Sequence, residues 1–255
     1  MAPGQVMPSG KAVRTADGYR VSGRRGYAMG ILHDDWMLLS APTDMGDGTS
    51  EIRRFFVAMK ATGSHDVVLT DELIPEHRSF RVSDMRELRA EGLQHNPGPL
   101  WRMPLLSFMV LGSVGPFVGV AEALLEIVSE VMKTKIGAYS GARQQGPMSQ
   151  NIRIASLAMF LDAIIRLWEG HTEDLWRDIS SNQEPSRQRP VKIRAITAHV
   201  AKTCFEIIDE LARCVGSRSF YNDNPIQRFH RDMSSLSTHA LFECDHLASQ
   251  YGSVG

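Results

Sequence analysis

The feature that most constrains the fold of this chain is a change of hydrophobic period near residue 104. Before it, over residues 11–84, apolar residues alternate with polar ones or form short runs, as at 18–23 and 36–41, which is typical of strands. After it, apolar residues recur at the period of helices that bury one face. The sequence therefore predicts an α+β fold, a small β-barrel-like domain followed by a helical bundle.

The β part contains further strand signals. Residues 54–59 are rich in Phe and Val, and an apolar stretch at 66–69 precedes another at 72–75. Because polar residues separate the last two stretches, we expect two strands there, joined by a turn.

Three apolar stripes predict three long helices. The stripes are Val118, Ala121, Leu124, Leu125, Val128 and Met132; Ile154, Leu157, Ala158, Leu161, Ile165 and Trp168; and Ile193, Ile196, Val200, Ile207 and Leu211. A fourth helix is expected from about residue 228 to residue 249. The Gly-, Ser- and Gln-rich segment 137–147 and the polar segment 180–190 separate the helices, which then form an antiparallel four-helix bundle.

These patterns divide the chain into a β-domain at residues 1–86, a linker at 87–103 and the bundle at 104–255. The linker is rich in residues that interrupt regular structure, namely Gly92, Pro97, Gly98 and Pro99.

Composition limits the partners and the compartment. Lys and Arg number 28 against 29 Asp and Glu, with no basic block, so we expect no nucleic-acid partner. The cysteines Cys204, Cys214 and Cys244 are odd in number and form no C-x-x-C pair, which favours a reducing compartment. Because the first ten residues also lack the apolar segment of a signal peptide, we expect a cytoplasmic protein.

Residues 103–121 carry no charge and are about long enough to cross a bilayer. The stretch is interrupted by proline and glycine, and its continuation at 120–133 gains charges at helical spacing. We therefore interpret it as the start of a buried core helix and expect no membrane partner.

The segment 221–232, Tyr-Asn-Asp-Asn-Pro-Ile-Gln-Arg-Phe-His-Arg-Asp, resembles the end of the last helical domain in the acyl-CoA dehydrogenase superfamily. Shorter segments at 8–12, 18–23, 30–36, 63–67 and 75–77 look, in order, like markers of the family's middle β-domain. The resemblance thus covers nearly the whole chain.

One position decides which branch of the superfamily the chain resembles. In the dehydrogenases the catalytic glutamate follows the Arg-Asp pair at a fixed distance, and the same distance from Asp232 reaches Ala240, with His239 just before it. This substitution is similar to the flavin-dependent monooxygenase branch, which includes the oxygenase components of p-hydroxyphenylacetate hydroxylase, steroid-catabolic phenol hydroxylases, dibenzothiophene monooxygenase and nitrososynthases.

The resemblance implies a two-component system. A separate NAD(P)H-flavin reductase supplies reduced FMN or FAD, which reacts with O2 to give a C4a-hydroperoxyflavin, and an aromatic or other electron-rich small molecule is hydroxylated. The family also assembles as tetramers through the C-terminal bundle, so a homotetramer is implied.

His239 is the candidate catalytic base or peroxide-stabilising group, because histidine exchanges a proton near neutral pH. Two alternatives stay open from the sequence. The first is a helix histidine that is hydrogen-bonded in the bundle core. The second is a metal ligand, since His239, Glu243 and His246 have the spacing of one helical face.

The resemblance also implies residues that bind the flavin: Tyr27, Ala28, Met29, Gly30, Arg143, Tyr221 and Asn222. Tyr27 would pack on the flavin ring. Ala28 and Met29 lack the family's hydroxyl, so that contact would come from backbone amides or be lost. Arg143 would reach a flavin phosphate or ribose, and guanidinium suits that role.

Each of these positions has a structural alternative. Tyr27 can be an ordinary strand tyrosine, Arg143 a solvated loop arginine, and Tyr221 and Asn222 a turn before the next proline. His33 and Trp36 are interpreted as β-domain packing, and the pair at 231–232 as a structural ion pair that fixes the last helix.

Family members begin with a helical domain, whereas this chain opens in the β-domain. The sequence leaves three explanations: the domain is a separate polypeptide, the start codon is misassigned, or the protein is a degenerate paralogue. Two other functions therefore stay open, an acyl-CoA dehydrogenase-like flavoprotein, which Ala240 disfavours, and a non-catalytic subunit.

Overall fold

A computed structural model describes residues 8–25, 35–58, 67–134, 148–181 and 188–253. The chain divides into two compact units, Met1–Pro97 and Gly98–Gly255. Each unit has its own hydrophobic core and is described separately.

The first unit contains one six-stranded sheet. Its strands are β1 (Lys11–Thr15), β2 (Gly18–Arg25), β3 (Trp36–Asp44), β4 (Ser50–Ala58), β5 (Val67–Ile74) and β6 (Ser79–Arg81). Their order is β5-β2-β1-β3-β4-β6, and every pair is antiparallel except β1 with β3. A 3₁₀ turn, Glu76–Arg78, and two short helices, α1 (Val82–Arg86) and α2 (Gly92–His95), follow the fifth strand.

The sheet is strongly curved, as the β-barrel-like prediction requires. The rings of Tyr19 in β2 and Phe55 in β4 lie 5.5 Å apart in an edge-to-face arrangement. Two strands separate β2 from β4, and neighbouring strands are about 4.8 Å apart, so a flat sheet would hold these rings much farther from each other. The core lies inside the curve and consists of Ala12, Tyr19, Val21, Leu39, Ala41, Phe55, Val57 and Ile74.

The turn predicted between residues 69 and 72 is wrong, because β5 runs through it as a single strand. The polar residues form an irregularity instead. Asp71 has a φ of 53°, its backbone N–H donates to Ser22 Oγ at 2.9 Å, and the register against β2 shifts between Val21 and Gly23. A bulge therefore accommodates the polar residues without ending the strand.

The second unit is helical. It contains a 3₁₀ turn at Pro99–Arg102 and the helices α3 (Leu105–Ser113), α4 (Gly115–Thr134), α5 (Met148–Ser180), α6 (Gln188–Val215), α7 (Pro225–Ser237) and α8 (Cys244–Gly252), with further 3₁₀ turns at Ser217–Phe220 and Ala240–Phe242. Helix α6 is central and packs against the other five helices.

The apolar stripes predicted for α4, α5 and α6 line this core, which confirms the helical reading. The buried members from those stripes are Val118, Ala121, Leu124, Val128, Met132, Leu161, Ile193, Val200, Ile207 and Leu211. Each large apolar side chain that is fully buried contributes roughly 1.5–3 kcal/mol.

The stretch Leu105–Lys133 is long and apolar enough, by length and composition, to cross a membrane. In the structure it forms α3 and α4, and Val110, Val114, Phe117 and Leu124 are buried against the other helices. This packing is what a core helix requires, as the sequence predicts.

The continuous fourth helix predicted from residue 228 to residue 249 is wrong. Helix α7 ends at Ser237, and the Ala240–Phe242 turn precedes α8. Side chains near the break bond to the backbone behind them: Ser237 Oγ donates to Ser234 O and Thr238 Oγ1 donates to Ser235 O, each at 2.8 Å. Such bonds compete with the helix ladder, which explains why a helical period does not give one helix here.

Candidate functional site

The described residues include three of the predicted site positions, His239, Tyr221 and Asn222. The other predictions, Tyr27, Ala28, Met29, Gly30 and Arg143, lie outside the described residues, as does His33. The candidate site is therefore built from the segment between α6 and α8.

Asn224 fixes the start of α7. Its Oδ1 accepts a hydrogen bond from the Ile226 N–H at 3.0 Å, and its Nδ2 donates to Arg218 O at 3.0 Å. Pro225 occupies the first helical turn, where the lack of an N–H costs nothing. The sequence Asn-Pro thus sets where the helix that leads to His239 begins.

Tyr221 and Asn222 lie in the turn before this cap. Both are exposed, Tyr221 by 64%, and the Tyr221 carbonyl accepts from the Asn224 N–H at 3.0 Å. This geometry is that of the turn alternative, and the role of the two residues beside a cofactor stays a prediction.

His239 lies just after α7, where the backbone becomes extended, with φ −70° and ψ 139°. Its Nδ1 accepts a hydrogen bond from the Leu241 N–H at 3.2 Å, so the neutral ring carries its proton on Nε2. The side chain is exposed. His239 is thus not a histidine hydrogen-bonded in the bundle core, and that alternative is wrong.

Phe242 anchors the turn that follows His239. It is buried, and its ring packs edge-to-face on Phe117 of α4 at 5.1 Å. The imidazole of His239 lies 6.3 Å from the same Phe242 ring. An exposed imidazole therefore precedes a short turn whose last residue, Phe242, is buried in the core.

The metal alternative is not tested, because the side chain of His246 lies outside the described residues. The three residues do not belong to one continuous helix, since His239 and Glu243 flank the Ala240–Phe242 turn and α8 begins only at Cys244. Across the part of the chain that the structure describes, His, Cys, Asp and Glu side chains form no group of three or more suited to a metal ion.

A second histidine near the motif was not identified from the sequence. His230 Nε2 lies 2.9 Å from Asp209 Oδ1 and joins α7 to α6, with its ring between Phe205 and Phe220, each 5.8 Å away. A hydrogen bond from Arg213 is the main cause that lowers the pKa of the Asp209 carboxyl. Burial opposes it, and the hydrogen bond from His230 adds a smaller lowering effect. In the sequence, the i, i+4 spacing of Asp209 and Arg213 indicates an ion pair on α6, and this was the available indication of the site.

The Arg231–Asp232 pair forms but does not fix α7 to another element. Arg231 Nη2 lies 3.2 Å from Asp232 Oδ1, and both side chains are at least half exposed. Two neighbouring residues on one helix cannot connect that helix to another element, and exposed ion pairs contribute little to stability. The connection that we predicted for this pair is made by His230 instead.

Trp36 agrees with its predicted packing role. It begins β3, and the guanidinium carbon of Arg78 lies 4.7 Å above the centre of its ring.

Together, the curved sheet and the helical unit define an acyl-CoA dehydrogenase-like fold. The model of the acyl-CoA dehydrogenase C-terminal domain matches residues 111–244, and the chain belongs to this family. Among its relatives, it is 24% identical over 96% of its length to the flavin-dependent monooxygenase oxygenase subunit HsaA of Rhodococcus jostii, of which it covers 68%. It is 26% identical over 98% of its length to the oxygenase component of p-hydroxyphenylacetate 3-hydroxylase from Acinetobacter baumannii, of which it covers 63%.

A similar solved structure is XiaF from Streptomyces sp., in complex with FADH2 and glycerol. The TM-score is 0.85 with 26% identity, and the alignment covers 98% of this chain and 67% of XiaF. The chain thus spans about two thirds of the length of these proteins.

Proposed function

We propose that this chain is the oxygenase component of a two-component flavin-dependent monooxygenase. It would use reduced FMN or FAD and O2 to hydroxylate an aromatic or other electron-rich small molecule. A separate NAD(P)H-flavin reductase would supply the reduced flavin, and both would act in the cytoplasm.

The observation that carries this proposal is the environment of His239. Where the dehydrogenases have their glutamate the chain has Ala240, and an exposed imidazole stands immediately before it on an anchored turn. Relatives that align with almost the whole chain are named as oxygenase components and flavin-dependent monooxygenases.

The described part of the chain fits this chemistry at His239. Its Nδ1 accepts the Leu241 N–H, so the neutral ring carries its proton on Nε2. When bound with O2, the reduced flavin supplies the oxygen atom. The protein's tasks are to hold the ring, exclude water and move the substrate proton, and His239 performs the last of these at Nε2.

We propose that the chain assembles as a homotetramer through an apolar face of α5. Ile152, Met159 and Phe160 are each more than half exposed on the first half of this helix. A face of this kind is unusual on a monomer and typical of an interface. A second copy of the chain is the partner that we expect to cover it.

The role of His239 is tested by two substitutions. His239→Asn keeps an acceptor for the Leu241 N–H but removes the imidazole, whereas His239→Ala removes both. We expect each variant to lose product formation by roughly 10²–10⁴-fold in a coupled assay with a flavin reductase and phenolic substrates, the usual range for an acid–base group. Reduced-flavin binding should be nearly unchanged.

The matched control is His199→Ala, which removes an exposed histidine of α6 and should retain activity. Coupled turnover that persists in His239→Asn would contradict the assignment.

A further inference from the structure

We propose that Arg54 and Arg86 form a phosphate-binding site on the outer face of the β-sheet. Arg54 lies in the middle of β4, directly opposite Ser40 of β3 and Phe80 of β6. Residues opposite each other share a face, and neighbouring residues of β4 alternate between faces. Since Phe55 is in the core, Arg54 projects from the other side, all within the unit Met1–Pro97.

Arg54 is an arginine that is largely buried and incompletely hydrogen-bonded. It is only 8% exposed, and its Nε is buried with no hydrogen-bond acceptor. Within the described parts of the chain it makes no ion pair. The adjacent Arg53 also has a buried Nε without an acceptor, but its Nη groups donate to Glu51 Oε1 at 2.7 Å and to Ser79 Oγ at 2.9 Å. A buried charge is normally paired, so an anion is the missing component at Arg54.

The nearest charge that acts on Arg54 is also positive. Helix α1 packs against β4, and Arg86 lies in its last turn. Burial, and then the charge of Arg86, lowers the pKa of the Arg54 guanidinium, although arginine stays protonated at neutral pH. The nearby carboxylates of Asp84 and Glu87 both pair with Arg89.

The positive charges of Arg54 and Arg86 indicate which class of ligand would bind. Two guanidinium groups whose charges act on each other suit an anion of two charges with several acceptor oxygens, which describes a phosphate better than a carboxylate. Part of the surrounding face reaches solvent, since Ile52 and Phe56, two residues before and after Arg54 on the same strand, are about 40% exposed. A phosphate group can therefore approach from outside.

The identity of the phosphate carrier rests on the proposed function, but the existence of the site does not. Under the proposed function the carrier is the phosphate of FMN or the diphosphate of FAD. The two arginines would also bind free phosphate or another phosphate ester, and the titrations below distinguish these ligands.

The test is calorimetric titration of the full chain with inorganic phosphate in a phosphate-free buffer. We expect saturable binding that Arg54→Met weakens at least tenfold and Arg86→Met weakens severalfold. Arg14→Met, which removes an exposed arginine paired with Glu76 at 3.5 Å, is the control and should change affinity less than twofold. Equal phosphate affinity in the wild type and Arg54→Met would overturn the site.

Thermal unfolding shows whether the Arg54→Met variant is folded. Because Arg54→Met replaces an unpaired buried charge by an apolar chain, it should melt no lower than the wild type without phosphate. Phosphate should raise the melting temperature of the wild type and not of the variant. A variant that melts far below the wild type in phosphate-free buffer would show that Arg54 is paired within the chain, and would also overturn the proposal.

Comparison of reduced FMN with reduced riboflavin, which lacks the phosphate, identifies the carrier. If the preference for FMN disappears in Arg54→Met, the flavin phosphate is the ligand. If inorganic phosphate binds but the preference is unchanged, the site stands with a different phosphate as its ligand. Failure of flavin binding together with retained phosphate binding would count against the proposed function alone.

Discussion

At the scale of single residues, Gly18 shows how one backbone position lets two neighbouring strands approach each other closely. It begins β2 with a φ of 137°, and a Cβ atom there would lie 2.3 Å from Ile74 O in β5. A side chain at this position would both strain the backbone and push β5 away from β2.

We expect Gly18→Ala to lower the free energy of unfolding by about 2–4 kcal/mol, through strain and a clash with backbone. Gly46→Ala is the matched control, because Gly46 also has positive φ, 80°, but a Cβ there meets no atom within 4 Å. The control should lose only about 1 kcal/mol, from strain alone. Urea unfolding measures both values, and equal losses would show that the close approach to β5 does not matter.

The residues that a sequence can and cannot identify differ in a physical way. His239 was identified because a motif places it next to Ala240, whereas its capping bond to Leu241 depends on a backbone break that no spacing shows. His230 and Asp209 are 21 residues apart and meet only when α6 and α7 pack. Arg54 looks like an ordinary strand residue until the structure shows that its Nε is buried without an acceptor.

At the scale of elements, the His230–Asp209 contact joins α7, the helix that leads to His239, to the central helix α6. The contact is partly buried and lies between two aromatic rings, so it constrains the direction of α7 more than an exposed pair would.

We expect Asp209→Asn to lower the free energy of unfolding by about 1 kcal/mol at pH 7. This value is the contribution of a charge-assisted hydrogen bond, reduced because the pair is partly exposed. Because the folded-state pKa of Asp209 is lowered, its contribution is complete above the unfolded carboxyl pKa of about 3.9. The contribution is lost as the pH falls through the lower folded value. Thermal unfolding from pH 7 to pH 2.5 should therefore show the two proteins converging below about pH 4.

The control for this pH series is Asp162→Asn, which breaks the exposed pair with Arg166 on α5. It should change the melting temperature little at any pH. A difference between wild type and Asp209→Asn that persists at pH 2.5 would contradict the electrostatic explanation.

The elements themselves were largely predictable. The period of buried residues identified α4, α5 and α6, since each presents one long apolar face to the core. The same rule failed twice for local reasons: serine and threonine side chains end α7, and a bulge at Asp71 keeps β5 continuous. Periodicity reports burial, whereas these breaks depend on individual hydrogen bonds.

At the scale of the whole molecule, the exposed apolar side chains of α5 form the main surface that we expect another copy to cover. Met159 and Phe160 are 67% and 63% exposed. Burial of such side chains between copies would add the hydrophobic stabilisation that they lack in the single chain.

We expect Phe160→Glu to shift the protein to smaller species in sedimentation velocity, because a charge at a buried interface is costly. Val68→Glu, at a residue of β5 that is 63% exposed, is the matched control and should leave the assembly unchanged. Identical sedimentation of wild type and Phe160→Glu would exclude the α5 face as the contact.

The most direct test of the central proposal is anaerobic titration of the purified chain with reduced FMN and reduced FAD, with each oxidised flavin in parallel. A component that takes up flavin as a diffusible reduced reagent should bind at least one reduced flavin saturably and more tightly than its oxidised form. No saturable binding of either reduced flavin, or binding only of an oxidised flavin that an acyl-CoA then reduces, would contradict the proposed function.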